Sequence, residues 1–228
     1  MKRLVLFDID GTLLSAGGVS RAALVVALNE TFGAEGEIAS YDFSGKTDPQ
    51  IVRELMQRAG VPEATIAARL GACLVRYQMA LTSRIKLEHV QAKPGVEELL
   101  RRLSLKRGVV LGLLTGNLEA CARMKLGPLG LNPYFPFGAY GSDHEDRHRL
   151  PRIAVARARQ ATGVRFEGKS VVIVGDSIHD VRCGRDIEVR SVAVASGKTS
   201  AEVLALESPD ALLPDLGETA RALAAILD

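Results

Sequence analysis

The hydrophobic positions fall into two regimes. At the start, Leu4-Val5-Leu6-Phe7 is an unbroken apolar run, the pattern of a strand buried on both faces. From about residue 15 to 88 the apolar positions recur at helical spacing instead. Leu24, Val25, Leu28 and Phe32 form one stripe, with Ser20 as its expected cap and Gly33 at its end. Ile51, Val52, Leu55 and Met56 form a second, with Asp48-Pro49 as N-cap and first helical residue and Gly60 as its close. Ile66, Leu70, Leu74, Tyr77 and Leu81 form a third. No strand pattern interrupts them.

Beyond Pro94-Gly95, which opens a helix carrying Val96, Leu99, Leu100 and Leu103, strands and helices alternate. Strands are expected at 109–114, within 135–140, and at 170–174, 192–195 and 211–213, with helices at 152–161 and 216–227. Such alternation predicts a mostly parallel sheet covered on both faces. The expected fold is therefore α/β, a Rossmann-like core interrupted after its first strand by an all-helical cap. Residues 1–14 and 89–228 would form the core and 15–88 the cap.

Composition narrows the setting. Of 228 residues 47% are apolar, enough for a sizeable core, and the net charge of +2 comes with interspersed signs, which argues against disorder and against a nucleic-acid footprint. Cys73, Cys121 and Cys183 are too far apart for a thiolate metal site or a disulfide framework, and they fit a reducing compartment. The apolar run after Met1-Lys2-Arg3 is too short for a signal peptide or a membrane span. A cytoplasmic protein without membrane or nucleic-acid partners is expected; the oligomeric state is left open.

Three of the expected strands end in polar groups: Asp8 and Asp10, Thr115-Gly116-Asn117, and Gly175-Asp176 with Asp180 nearby. Ligands of open α/β sheets bind outside the carboxyl ends of the strands, so parallel neighbours would bring all three loops to one rim. Carboxylates gathered there repel unless a cation binds them, and Mg²⁺, a hard ion that takes carboxylates, water and substrate oxygen, suits them. A carboxylate, a hydroxyl and free N–H groups around such an ion suit phosphoryl transfer.

These residues resemble the signature motifs of the haloacid dehalogenase superfamily. Asp8-Ile9-Asp10-Gly11-Thr12-Leu13-Leu14 looks like the first, Thr115-Gly116-Asn117 the second, and Gly175-Asp176-Ser177-Ile178-His179-Asp180 the fourth. The resemblance implies Asp8 as nucleophile and metal ligand. It implies Asp10 as general acid/base, also a metal ligand through its carbonyl. Thr115, Gly116 and Asn117 would hold phosphoryl oxygens, Asp176 would bind metal, and Asp180 would bind or orient it. The third motif departs from the family pattern, which has a lysine: no Lys occurs between Lys125 and Lys169. An arginine must stand in. Asp146-Arg147 is similar to a pair recurring there in related sequences and points to Arg147, in both catalytic and phosphate-binding roles. Arg149 is nearly as well placed by its distance from Asp176.

His144-Glu145-Asp146-Arg147-His148 matches a zinc-protease spacing but lacks helical periodicity and reads as a loop. In the cap, Lys46 and Thr47 are candidates for contacting substrate. The expected function is Mg²⁺-dependent hydrolysis of a small phosphorylated metabolite through a phospho-aspartyl intermediate, resembling phosphoglycolate phosphatase-like members. The alternatives are a sugar-phosphate mutase similar to β-phosphoglucomutase and a catalytically idle binding protein on the same fold.

Overall fold

The computed structural model describes residues 2–228. Strand β1 (Arg3–Phe7) is buried along its whole length, as its uninterrupted apolar run requires. The chain then leaves the sheet through β2 (Leu14–Ser15) into helices α1 (Val19–Phe32), α2 (Asp48–Arg58) and α3 (Glu63–Arg84), and returns through β3 (Gln91–Ala92). β2 and β3 pair antiparallel, Leu14 opposite Ala92, so the exit and re-entry of the helical insertion are tied side by side.

Alternation follows: α4 (Val96–Ser104), β4 (Val109–Leu114), α5 (Glu119–Leu126), β5 (Gly138–Ala139), α6 (Leu150–Thr162), β6 (Val171–Gly175), α7 (Ile178–Arg182), β7 (Arg190–Val194), α8 (Ala201–Leu206), β8 (Ala211–Leu213) and α9 (Thr219–Leu227). Six strands form one parallel sheet in the order β5-β4-β1-β6-β7-β8. β1 lies between β4 and β6, which places the ends of the three motif-bearing strands next to one another.

The two-residue period of a strand divides the core. Val5 and Phe7 face a cluster that runs continuously into the inserted helices through Leu24, Leu28, Leu55 and Tyr77. Leu4 and Leu6 face the other side, against Leu150, Ala154 and Ala158 of α6 and against Phe166. α4 shows how local chemistry sets a helix. Val96, Leu99, Leu100 and Leu103 are buried on one stripe, and Glu97 and Glu98 open it while Arg101 and Arg102 close it, each sign complementing the helix dipole.

Several boundaries differ from the sequence expectation. Ser20 lies inside α1, whose N-cap is Gly18 in a left-handed conformation. Thr47, not Asp48, caps α2, its hydroxyl accepting from the Gln50 N–H, which leaves Asp48 in the first turn with its carboxylate available elsewhere. α6 begins at Leu150, with Pro151 within its first turn, where a missing N–H costs nothing. The short helices α5, α7 and α8 had no periodic signal. No helix among the described residues is long and apolar enough to cross a membrane.

Candidate active site

The carboxyl ends of β1, β4 and β6 deliver Asp8, Thr115 and Asp176 to one rim, all buried. Asp8, Asp176 and Asp180 each offer a carboxylate oxygen within 4.8 Å of the others. Asp180 reaches this group from the start of α7. There its Oδ2 accepts from the N–H and hydroxyl of Ser177 in a capping box, and its Oδ1 accepts from Arg147. One side chain thus starts the helix and faces the site.

Arg147 comes from a short turn before α6 and is 4% exposed. Its Nη2 donates to Asp8 Oδ1 at 3.1 Å and to the Leu114 carbonyl at 3.3 Å. Arg149, by contrast, is exposed and only loosely opposite Asp146, at 4.0 Å. Of the two arginines left open by the sequence, the structure brings Arg147 to the carboxylates.

The cluster is short of positive charge. Burial pushes Asp8 up to about 7 against the pull of Arg147, with Asp180 and Asp10 adding to the rise. Burial, with the charges of Asp8 and Asp180, likewise holds Asp176 well above the usual carboxylate range. A divalent cation coordinated by oxygen fits such a donor set. The seat is also shaped for it: a Cβ on Gly197 would stand 1.6 Å from Asp176 Oδ2, and one on Gly11 2.4 Å from it. Thr12 Oγ1 donates to the other oxygen of Asp176 at 3.0 Å.

Asp10 stands apart from the three. Its side chain is 41% exposed, and its Oδ2 accepts from Asn117 Nδ2 at 2.8 Å and from Lys125 Nζ at 2.6 Å. Asn117 Nδ2 also donates to Thr115 Oγ1 at 2.8 Å. Lys125 was not singled out in the sequence. Cys121, Ala122, Lys125 and Leu126 share the buried face of α5, and a lysine on such a face asks for a partner, but a helix this short leaves no period in the sequence to mark it.

Asp8, Asp10, Asp176, Arg147 and Lys125 line a cavity of about 370 Å³ roofed by the insertion through Arg21, Leu24, Phe43, Ile51 and Tyr77. The roof is seated on the core. Asp48 N–H donates to the Gly116 carbonyl at 2.8 Å, and Asp48 Oδ2 accepts from the Leu118 N–H at 2.7 Å. Thr47 Oγ1 donates to the Glu145 carbonyl at 2.6 Å, and Arg53 Nε pairs with the Glu145 carboxylate at 2.6 Å. Gly116 makes this approach possible, since a Cβ there would lie 2.0 Å from the Lys46 carbonyl.

Thr47 is fully buried in that contact and does not line the cavity. Lys46 does line it, but its ammonium donates to Glu54 at 2.7 Å and Tyr41 at 3.1 Å. His144 and His148 lie in the loop and turn before α6, outside the one group of potential metal ligands among the described residues.

The family model of the haloacid dehalogenase-like hydrolases matches residues 5–194. The phosphoglycolate phosphatase of Agrobacterium fabrum is 30% identical over 227 residues, which span 96% of this chain and 91% of that protein. A phosphoglycolate phosphatase of Pseudomonas syringae pv. tomato is 27% identical over 224 residues, 95% of this chain and 78% of its own. A solved hydrolase structure from Pseudomonas syringae shares the fold with a TM-score of 0.72 at 19% identity, covering 100% of both chains. This chain belongs to the haloacid dehalogenase-like hydrolase family. Within it, the chain is a phosphatase of the phosphoglycolate phosphatase-like branch.

The Asp176 seat yields a direct test. Gly197→Ala should displace that carboxylate and lower phosphatase activity by about 10- to 100-fold, the scale of losing a ligand's orienting contacts, while melting temperature stays near wild type. Wild-type activity in Gly197→Ala would show that the Asp176 position is not demanding.

Proposed function

We propose that the protein hydrolyses a small anionic phosphate monoester with Mg²⁺, Asp8 being the nucleophile and Asp10 the acid/base, and that 2-phosphoglycolate is the first substrate to try. The carrying observation is the division of carboxylates. Three are buried together around Arg147, while the fourth, Asp10, projects partly exposed into the same cavity. The names of these relatives support the ester. The three buried, unpaired cysteines support a reducing, cytoplasmic setting.

In this reading an Asp8 oxygen attacks phosphorus and the bond to the ester oxygen breaks. Asp10 gives its proton to that oxygen, so an alcohol leaves and Asp8 carries the phosphoryl group. Water then attacks phosphorus, Asp10 takes the water's proton, and the bond to Asp8 breaks to release phosphate. Arg147 holds Asp8 and supplies fixed positive charge beside the phosphoryl group. Thr115 and the backbone after β4 bind its oxygens. Mg²⁺, held by Asp8, Asp176 and the Asp10 carbonyl with Asp180 in support, supplies charge neutralisation and Lewis acidity when bound. The seated helices exclude bulk water.

A panel of phosphorylated metabolites, assayed for released phosphate with Mg²⁺ or with excess chelator, tests the activity. Phosphate should appear only with the metal, and Asp8→Asn should abolish it. Activity in chelator, or an isomerised sugar phosphate without net phosphate release, would overturn the reading, the latter in favour of a mutase.

The third-motif role is separable. Arg147→Ala should lower kcat/KM by on the order of 10³-fold, Arg147→Lys should recover part of it, and Arg149→Ala should remain near wild type. Near-normal turnover in Arg147→Ala would remove the charge-stabilising role.

The raised carboxylates set a pH dependence. A group whose folded value, about 7 for Asp8, exceeds its ordinary 3.8 stabilises the fold fully below the lower value and loses that contribution as pH rises through the higher one. Bound Mg²⁺ offsets the loss. Thermal melts should therefore show a larger Mg²⁺-induced rise at about pH 8 than at about pH 6. An equal rise at both would mean that protons and metal do not compete for these carboxylates.

A further inference from the structure

We propose that Lys125 is the positioning residue of the acid/base carboxylate, and that Asp48 ties this lysine to the seating of the inserted helices. The proposal rests on the acid/base reading of Asp10 above. Lys125 is 2% exposed and sits in the last turn of α5. Burying an ammonium on a stripe shared with Cys121, Ala122 and Leu126 is unfavourable unless the charge is matched, and packing alone would be better served there by an apolar side chain.

The matching is specific. Lys125 Nζ donates to Asp10 Oδ2 and to Asn117 Oδ1, both at 2.6 Å. Engaging the amide oxygen of Asn117 turns its Nδ2 toward Asp10, where it donates to the same Oδ2 at 2.8 Å. Two donors thus converge on one oxygen of Asp10. The other, Oδ1, has no hydrogen-bond partner among the described residues. Lys125 therefore selects the oxygen that stays free to exchange protons with substrate and water, and fixes its direction.

Asp48 reaches the same helix from the insertion. It belongs to α2 of the insertion, is 8% exposed, and accepts from the Leu118 N–H at 2.7 Å, where the chain enters the helix that carries Lys125. Burial alone would lower the lysine, but Asp10 and Asp48 outweigh it and hold Lys125 above its ordinary value. Lys125 is thus bonded to the acid/base itself, while the helix that carries it is met at its start by a carboxylate that the insertion supplies. Seating and alignment of Asp10 share one lysine.

Leaving-group dependence separates positioning from structural support. Lys125→Met keeps the stem and removes the charge. Its kcat/KM, which reports phosphorylation of Asp8, should fall roughly 10²-fold for an alkyl phosphate, whose alcohol needs the proton. For 4-nitrophenyl phosphate, whose leaving group does not, it should fall less than about fivefold. Lys125→Arg should recover part of the alkyl activity, and Lys125→Gln carries the same test if Lys125→Met does not fold. Asp48→Asn should lower the alkyl value in the same selective way, and by less in the Lys125→Met background. Equal losses on both esters would overturn the positioning role, and an Asp48→Asn effect undiminished without Lys125 would overturn the link to seating. Asp10→Asn runs in parallel. If it too lacks leaving-group selectivity, the acid/base reading itself has failed; if it is selective and Lys125→Met is not, only this proposal falls.

Discussion

Buried charge at the carboxyl ends of three parallel strands is the constraint around which this molecule is arranged. Apart from Arg3, every buried charged side chain among the described residues belongs to the rim or to the seat of the insertion: Asp8, Asp48, Lys125, Arg147, Asp176 and Asp180. Four negative groups and two positive ones cannot all be ionised cheaply away from water. The surplus is handled by distribution. Arg147 bridges Asp8 and Asp180, Lys125 bridges Asp10 and Asn117, and Asp176 keeps only the Thr12 hydroxyl. The least compensated point therefore lies at Asp8 and Asp176, where burial and like charge raise both groups. That is where a cation gains most.

The inserted helices answer to the same constraint. Their contact with the core includes polar bonds that run through backbone: Asp48 to Gly116 and Leu118, Thr47 to Glu145. Each of these bonds replaces one to water, so by themselves they favour this arrangement only modestly. Yet the insertion shares a continuous apolar cluster with the sheet through Leu24, Leu28 and Tyr77. The insertion is thus aligned by its directional hydrogen bonds and held by the apolar packing it shares with the sheet.

What could be read in advance follows the range of the interactions involved. The strand runs at 109–114 and 170–174 and the three helical stripes were legible because burial on a regular element leaves a period in the sequence. Asp8, Thr115 and Asp176 were legible because strand ends in a parallel sheet share a rim. The N-cap of α2 was misplaced by one residue, since Thr47 and Asp48 are both capping types and only the tertiary contact of Asp48 with Leu118 decides between them. The composition of its loop makes Lys46 a candidate for contacting substrate. Its side chain lines the cavity while its ammonium pairs with Glu54, eight residues on, through a turn the sequence does not specify. Lys125 stayed hidden because its partner Asp10 lies 115 residues away.

An arginine where the family pattern has lysine differs from it in how the positive charge is spread. Nη2 of Arg147 alone meets Asp8, Asp180 and the Leu114 carbonyl. A lysine could place three N–H donors there, but as a compact point charge with no further donors to offer. The guanidinium spreads its charge over a plane. It can engage the carboxylates with one nitrogen while the rest of the group extends the positive field along the cavity wall, which Arg147 helps to line. The arrangement has a cost, because Nε of Arg147 is buried without a partner, and an orphaned donor of that kind is uncommon in a core chosen for stability. Its persistence beside Asp8 fits a side chain placed for charge, with complete hydrogen bonding given up to put it there.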